Sequence, residues 1–220
     1  MATDYQKARR LMVETQVRPN DVTDPRIHHA LSDIPREIFL PSTLREEAYV
    51  EKEIVYGGER SLVTARDLAK LLSTAEIRRD DLILDVAYGA GYSTAILARL
   101  GAMVVAVDES EARSAKAEAQ WADLGIVNAA SIVADPKLGA PDEGLFNVIA
   151  MVFATEIIPD DLKAQLSPDG GRLIALMRDQ SVTRGICIIR NGDAFAQNDY
   201  FDATASFVPA EFKVPKSFSF

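Results

Sequence analysis

The sequence predicts an α/β fold of Rossmann-like type: a mostly parallel sheet with an antiparallel strand, preceded by a helical N-terminal region. Three observations predict it. From Leu82 onward, short apolar runs alternate with helical stretches, the pattern of βαβ units. Within that region "LILDVAYGAGYSTAILARL", Leu82 to Leu100, passes from a strand through a glycine-bearing turn into an apolar-periodic helix. Up to about Ser73 the chain reads instead as helix and loop, punctuated by proline and glycine.

Taken in order, Leu11, Val13 and Val17 mark a first helix closed by "RPND", and His29, Leu31 and Ile34 a second, stopped by Pro35. "REIFLP" and "EIVYGG" read as short extended pieces. "TARD" before "LAKLL" reads as a capping box, with Thr64 as N-cap and Asp67 at the third helical position. "LILDVA" is a continuous apolar run of the buried parallel kind, and "YSTAILARL" a helix ending at Gly101. "AMVVAVD" is a second strand and "ESEARSAKAEAQWADLG" a long helix. "ASIVAD", "LFNVIAMV" and "GRLIALM" supply three further strands, with "PDDLKAQL" a helix before the last. "GICIIRNGDAFAQ" reads as a hairpin about Asn191-Gly192, antiparallel at one end of the sheet. The expected organisation is a single domain over 1–220, with 1–75 as a helical cap region, 76–180 as the α/β core and 181–220 as hairpin and tail.

A chain of 220 residues is long enough to bury a full core. Its net charge of −9 argues against a nucleic-acid partner, which would want a basic face. One cysteine excludes an internal disulfide and fits a reducing compartment. No apolar run reaches bilayer-spanning length, and "MATDYQKARRLMVETQ" lacks the apolar core of a signal peptide. A cytoplasmic monomer without membrane or nucleic-acid partners is expected.

The turn after "LILDVA" is built for a ligand, because a chain leaving a strand for a helix exposes free backbone N–H groups. A phosphate-binding loop needs lysine and Ser or Thr at the helix start, whereas Gly91 is followed by Tyr92-Ser93. A dinucleotide fingerprint needs a third glycine where Thr94 stands. S-adenosylmethionine fits better. Its ammonium and sulfonium favour an acid at the strand end, and Asp85 is there. Its ribose diol wants a carboxylate at the tip of the next strand, where Asp108 closes "VVAVD" with Glu109 beside it. Its adenine edge wants a polar group after the third strand, where Asp135 follows "ASIVA". Three acids at successive strand ends surround one crevice at the carboxyl edge of a parallel sheet. Solvated loop acids are the plainer alternative.

These residues, together with "MVETQVRPNDVTDPRIHHALSDIPREIFLP", "AYVEKEIVYGG", "LSPDGGRLIAL" and "FVP" at Phe207–Pro209, resemble the protein-L-isoaspartate O-methyltransferase family over nearly the whole chain. The turn alone indicates a class I S-adenosylmethionine-dependent methyltransferase; the N-terminal match narrows it. The resemblance implies methyl transfer from S-adenosylmethionine, leaving S-adenosylhomocysteine, to the carboxylate of an isoaspartyl residue in a protein or peptide. It implies Asp85, Ala87, Gly89, Gly91, Asp108, Glu109 and Asp135 as cofactor-binding positions. A carboxylate with a pKa of about 4 is already ionised at pH 7, so little acid–base equipment is needed.

The chain departs from the family in places. Glycine normally stands at the position of Ala87, whose methyl is tolerable at a negative φ, and a small residue at that of Tyr88, which either covers or obstructs the ligand. The family's Gln-Thr-Ile-Ser-x-Pro run corresponds to "RSLVTA", with Val63 at the serine, Ala65 at the proline and Ser61 at the threonine. Ser61 is therefore the candidate active-site hydroxyl, and Thr64 a second one unless it serves as a cap. Asn147 stands for aspartate, Val152-Phe153-Ala154 for Thr-Ala-Ala, and Ser206 for an arginine. These departures cluster on the acceptor side. They keep open a methyltransferase with another acceptor and a catalytically inactive, cofactor-binding or regulatory relative.

The remaining residues have plain readings. His28 and His29 are partly exposed helix residues, and no metal site is expected. Cys187 and Trp121 are core. "EEAYVEKE" is a solvated face, and "FKVPKSFSF" packs back on the domain.

Overall fold

The computed structural model describes residues 4–215. Helix α1, Tyr5–Met12, starts on Asp4, whose carboxylate accepts from the Lys7 N–H. It runs into a π-helical turn, Val13–Val17, and a 3-10 turn, Arg18–Asn20. That wide turn rotates the apolar face, so Met12, Val13 and Val17 are buried while Leu11, expected on the stripe, is exposed. Helix α2, Pro25–Asp33, opens on an Asp24 cap with Pro25 in its first turn. His28 is buried here, its Nε2 2.7 Å from the Val22 carbonyl, and only His29 is exposed, which corrects the expectation of two partly exposed histidines. "REIFLP" is not extended: Arg36–Phe39 is a 3-10 turn. The reason is Arg36, buried at 1% exposure, which donates to the Ala48 and Val63 carbonyls and lies over the Tyr92 ring. A curled backbone lets one guanidinium satisfy carbonyls from two later loops.

Strands β1, Ile54–Tyr56, and β2, Arg60–Leu62, form a separate antiparallel hairpin. Helix α3, Ala65–Ala75, begins on Thr64, whose hydroxyl accepts from the Asp67 N–H at 3.1 Å. The other half of the expected capping box does not form. Asp67 turns away and accepts from the Thr204 N–H, the Thr204 hydroxyl and the Ala205 N–H.

The main sheet contains β3 (Leu82–Val86), β4 (Met103–Asp108), β5 (Ala129–Val133), β6 (Val148–Thr155), β7 (Asp169–Asp179), β8 (Val182–Asn191) and β9 (Ala194–Ala203). Their order is β5-β4-β3-β6-β7-β8-β9, parallel from β5 to β7 and antiparallel at β7-β8 and β8-β9. The second antiparallel hairpin, turning at Gln180 (φ +51), was not expected. Helices α4 (Tyr92–Leu97), α5 (Glu111–Asp123) and α6 (Asp160–Ala164) make the crossovers. The chain steps outward from β3 to β5 and returns to the other side of β3 as β6. Such a reversal leaves a crevice at the carboxyl ends of β3 and β4, where open α/β sheets place ligands.

Cys187 is buried in the sheet, and burial pushes its thiol up to about 11. Phe212 packs on Phe153 with ring centres 4.8 Å apart, so that part of the tail folds back. Phe218 and Phe220 lie outside the described residues.

Candidate functional site

The crevice is built around the turn from β3 to α4. Ala87, Gly89 and Gly91 all have positive φ, at +50, +61 and +89. The left-handed conformation costs an L-residue about 1 kcal/mol, so Ala87 is strained, contrary to the expectation of a negative φ. Gly91 has a packing reason as well: a Cβ there would stand 2.8 Å from Trp121 Nε1 and 2.9 Å from the Ala117 methyl. Trp121 is core as expected, but its indole N–H also donates to the Gly91 carbonyl at 2.9 Å and so pins the turn to α5. Tyr88 is buried against Trp121, ring centres 5.6 Å apart. Its buried hydroxyl has no hydrogen-bond partner among the described residues, and burial raises its pKa.

Asp85 and Asp108 are both completely buried. Asp85 Oδ2 accepts from the Ser93 and Thr94 hydroxyls at 2.7 Å each, and Oδ1 has no partner among the described residues. Burial pushes its carboxyl up to about 7, and the Asp108 charge adds to the rise while the two hydroxyls oppose it. Asp108 is held on every side. Oδ1 accepts from the Ser110 N–H (3.1 Å) and Arg113 Nε (2.8 Å), Oδ2 from the Gly89 N–H (3.3 Å) and Arg60 Nε (3.4 Å). Arg60 is nearly buried and also reaches Glu109 (2.7 Å) and Glu211 (2.9 Å). Arg113 reaches Glu109 and Glu59. Asp135 lies apart from this cluster, exposed beyond β5, where its carboxylate caps the Lys137 N–H.

The residues expected on the acceptor side lie against β2. Ser61 donates to Glu53 Oε1 at 2.7 Å, and Glu53 Oε2 accepts from the Ser206 N–H (2.7 Å), Ser206 Oγ (3.0 Å) and the Phe207 N–H (3.1 Å). One carboxylate is thus gripped by four donors. Glu53 ends the stretch "EEAYVEKE", and this contact corrects its reading as a wholly solvated face. Nothing in the local sequence marks it, since its donors lie as far as 154 residues away. Thr64 is buried and its hydroxyl is engaged at the α3 cap. Val63, Val152 and Phe153 line the cavity beside Ser61, with Phe153 set inward where the β6-β7 register shifts between Met151 and Ala154.

The protein-L-isoaspartate(D-aspartate) O-methyltransferase (PCMT) family profile matches residues 7–213. The chain belongs to the PCMT family. It is 32% identical to the protein-L-isoaspartate O-methyltransferase of Methylorubrum extorquens strain PA1, over 94% of this chain and 89% of the relative. The protein of the same name from Methanoregula boonei is 29% identical over 90% of this chain and 91% of its own length. Two solved structures show the same fold. A protein-L-isoaspartate O-methyltransferase matches with a TM-score of 0.77 at 20% identity, covering 94% of this chain and 67% of its own. A Plasmodium falciparum protein assigned to the same activity, solved with S-adenosyl-L-homocysteine, matches with a TM-score of 0.70 at 15% identity, covering 90% and 96%.

PCMT enzymes are S-adenosylmethionine-dependent O-methyltransferases, and the residues of this chain can be tested against that cofactor. In the conformation described they do not fit it. The cavity between Tyr56, Arg60, Ala87, Tyr88, Tyr92 and Phe153 holds about 20 Å³, room for roughly one water molecule. Small-molecule sites occupy ~300–1,000 Å³. Four of the turn's backbone donors are spent as well. The Ala87 N–H goes to the Val107 carbonyl, the Gly89 N–H to Asp108, the Ala90 N–H to the Tyr56 hydroxyl and the Gly91 N–H to the Tyr88 carbonyl. Asp108, the acid expected to face the ribose, has no free oxygen.

Proposed function

We propose that this protein is a PCMT-family methyltransferase that forms methyl esters on protein carboxylates of the isoaspartyl kind, using S-adenosylmethionine. The observation that carries the acceptor class is the four-donor grip on a carboxylate at Ser61, Ser206 and Phe207. Two backbone N–H groups and two hydroxyls converging on one carboxylate make a receptor for that group, with charge-assisted hydrogen bonds. Glu53 occupies it in the described conformation, and an acceptor carboxylate would take its place. Ser61 is the acceptor-side hydroxyl, and Thr64 is assigned to the helix cap. Asp85, Ala87, Gly89, Gly91, Asp108 and Glu109 form the cofactor side, with Asp135 at its outer edge.

Among the described residues no helix is long and apolar enough to cross a membrane. We infer a cytoplasmic monomer acting on proteins. The test is incubation with S-adenosylmethionine labelled in its methyl group and an isoaspartyl peptide, with the aspartyl peptide as control. Base-labile label on the isoaspartyl peptide alone is expected. Label on neither peptide, with label on cell-extract protein, would replace the acceptor.

A further inference from the structure

Three of the side chains that close the cleft come from one element. Tyr56, Glu59 and Arg60 all lie on the β1-β2 hairpin or its turn. The base of that hairpin is apolar and fixed, since Ile54, Leu62 and Val63 are buried. Its tip is free: Gly57 and Gly58 are exposed, and nothing lies within 4 Å of where a Cβ would stand on either. Between base and tip the hairpin's polar holds are the Tyr56 hydroxyl on the Ala90 N–H, Arg60 on Asp108, Glu109 and Glu211, and Glu59 on Arg113. Among the described residues no backbone strand pairing joins the hairpin to the main sheet.

Tyr56 and Arg60 also form a partition. On one side is the cavity of about 20 Å³; on the other is a groove of about 230 Å³ lined by Phe39, Gly57, Glu59, Ala90, Arg113 and Lys116. Removing the partition joins the two hollows into one approaching the few hundred Å³ of a small-molecule site. It also releases the Ala90 N–H and takes Arg60 off Asp108 Oδ2, which then keeps only the Gly89 N–H.

We propose that the β1-β2 hairpin is a self-docked lid, with Arg60 standing against Asp108 where the cofactor would bind, and that the cofactor is admitted when the hairpin lifts about its buried base. This rests on the methyltransferase reading above. The charge arrangement supports it: the Arg60 and Arg113 cations face the Asp108, Glu109, Glu59 and Glu211 carboxylates. Lifting Arg60 leaves an acid-rich cleft that favours a ligand carrying positive charge. A ligand that must displace a docked segment binds more weakly by the fraction of molecules already open.

The experiment is calorimetric titration of S-adenosylhomocysteine into wild type, Arg60→Ala and Glu211→Gln, with tryptic cleavage after residue 60 followed by mass spectrometry in wild type and Glu211→Gln without ligand. The lid predicts binding at least tenfold tighter in Arg60→Ala. In Glu211→Gln, which loosens the latch without touching Asp108 and stands in if Arg60→Ala does not fold, it predicts tighter binding and faster cleavage at Arg60. Equal affinity in all three proteins overturns the lid. So does weaker binding in Arg60→Ala, which would make Arg60 a ligand contact, and so does the absence of binding in every protein. Turnover of labelled cofactor with isoaspartyl peptide by wild type is measured alongside: its presence upholds the methyltransferase reading even if the lid fails, and its absence together with no binding removes both.

Discussion

Asp85 and Asp108 close neighbouring parallel strands, are equally buried, and face opposite surroundings. Asp85 meets two hydroxyls, leaves one oxygen unpartnered among the described residues and has its carboxyl pushed up to about 7 by burial. Asp108 meets two guanidiniums and two backbone N–H groups. The parallel sheet placed both acids at one edge, but elements outside the sheet decided what each one faces. Arg60 arrives from the β1-β2 hairpin and Arg113 from α5. The crevice therefore has one half whose charge is compensated by the chain itself and one half whose charge is not.

That contrast predicts stability changes of opposite sign. Asp108→Asn strands Arg60 and Arg113 against fewer carboxylates, and removing one partner of a buried pair costs about 3–5 kcal/mol. The lower end is expected, because Glu109, Glu211 and Glu59 remain. Urea unfolding at pH 7 measures it, and a loss below about 1 kcal/mol, the ordinary worth of an exposed ion pair, would break the contrast.

For Asp85 the direction reverses. Its folded-state pKa, raised from 3.8 to about 7, means that the folded protein holds a proton which the unfolded chain has released. Its contribution is therefore fully present below about pH 4 and is lost as pH rises to about 7. Asp85→Asn removes that loss, because each tenfold difference in proton affinity between the folded and unfolded chain is worth about 1.4 kcal/mol. The variant is expected to gain up to about 4 kcal/mol at pH 8 and little at pH 4. A variant no more stable than wild type at pH 8 would show that Asp85 has found a cation.

Two smaller changes sharpen the picture. Thr64→Ala, outside the pair of acids, removes a helix cap and is expected to cost about 1 kcal/mol. A much larger loss of methyl transfer than that stability change explains would restore Thr64 to the acceptor side. Ala87→Gly, on the turn that follows Asp85, relieves a φ of +50 and is expected to stabilise by about 0.5–1 kcal/mol, net of the greater freedom of glycine in the unfolded chain. Thermal unfolding of both variants beside wild type would resolve these changes.

The alternation of strands and helices was legible because apolar period and strand-end acids are local signals, and Asp85 and Asp108 are where that pattern put them. The occupants of the crevice were not legible. Arg60 meets Asp108 across 48 positions of sequence and Glu53 meets Ser206 across 153; no window of periodicity spans such distances. Tyr88 could be seen to cover or obstruct a ligand, and only the packing of α5 through Trp121 shows that its ring lies in the wall of the cleft. The positive φ at Ala87 was hidden for another reason: alanine carries no mark of a left-handed turn, and the expectation of glycine there came from the family resemblance alone. At Leu11 and "REIFLP" the local apolar pattern is overridden too, by a π-helical turn in the first case and a buried arginine in the second.

The proposed lid makes the hairpin a movable cover over a cofactor site. Its position can be read from the distance between spin labels at Val55→Cys on β1 and Ala115→Cys on α5, both exposed positions, while the native Cys187 is buried from the label. The pair is measured by pulsed electron resonance with and without saturating S-adenosylhomocysteine. A movable lid gives one short distance in the free protein and a longer one, or a longer second population, when ligand is bound. A single unchanged distance in the bound protein would contradict it.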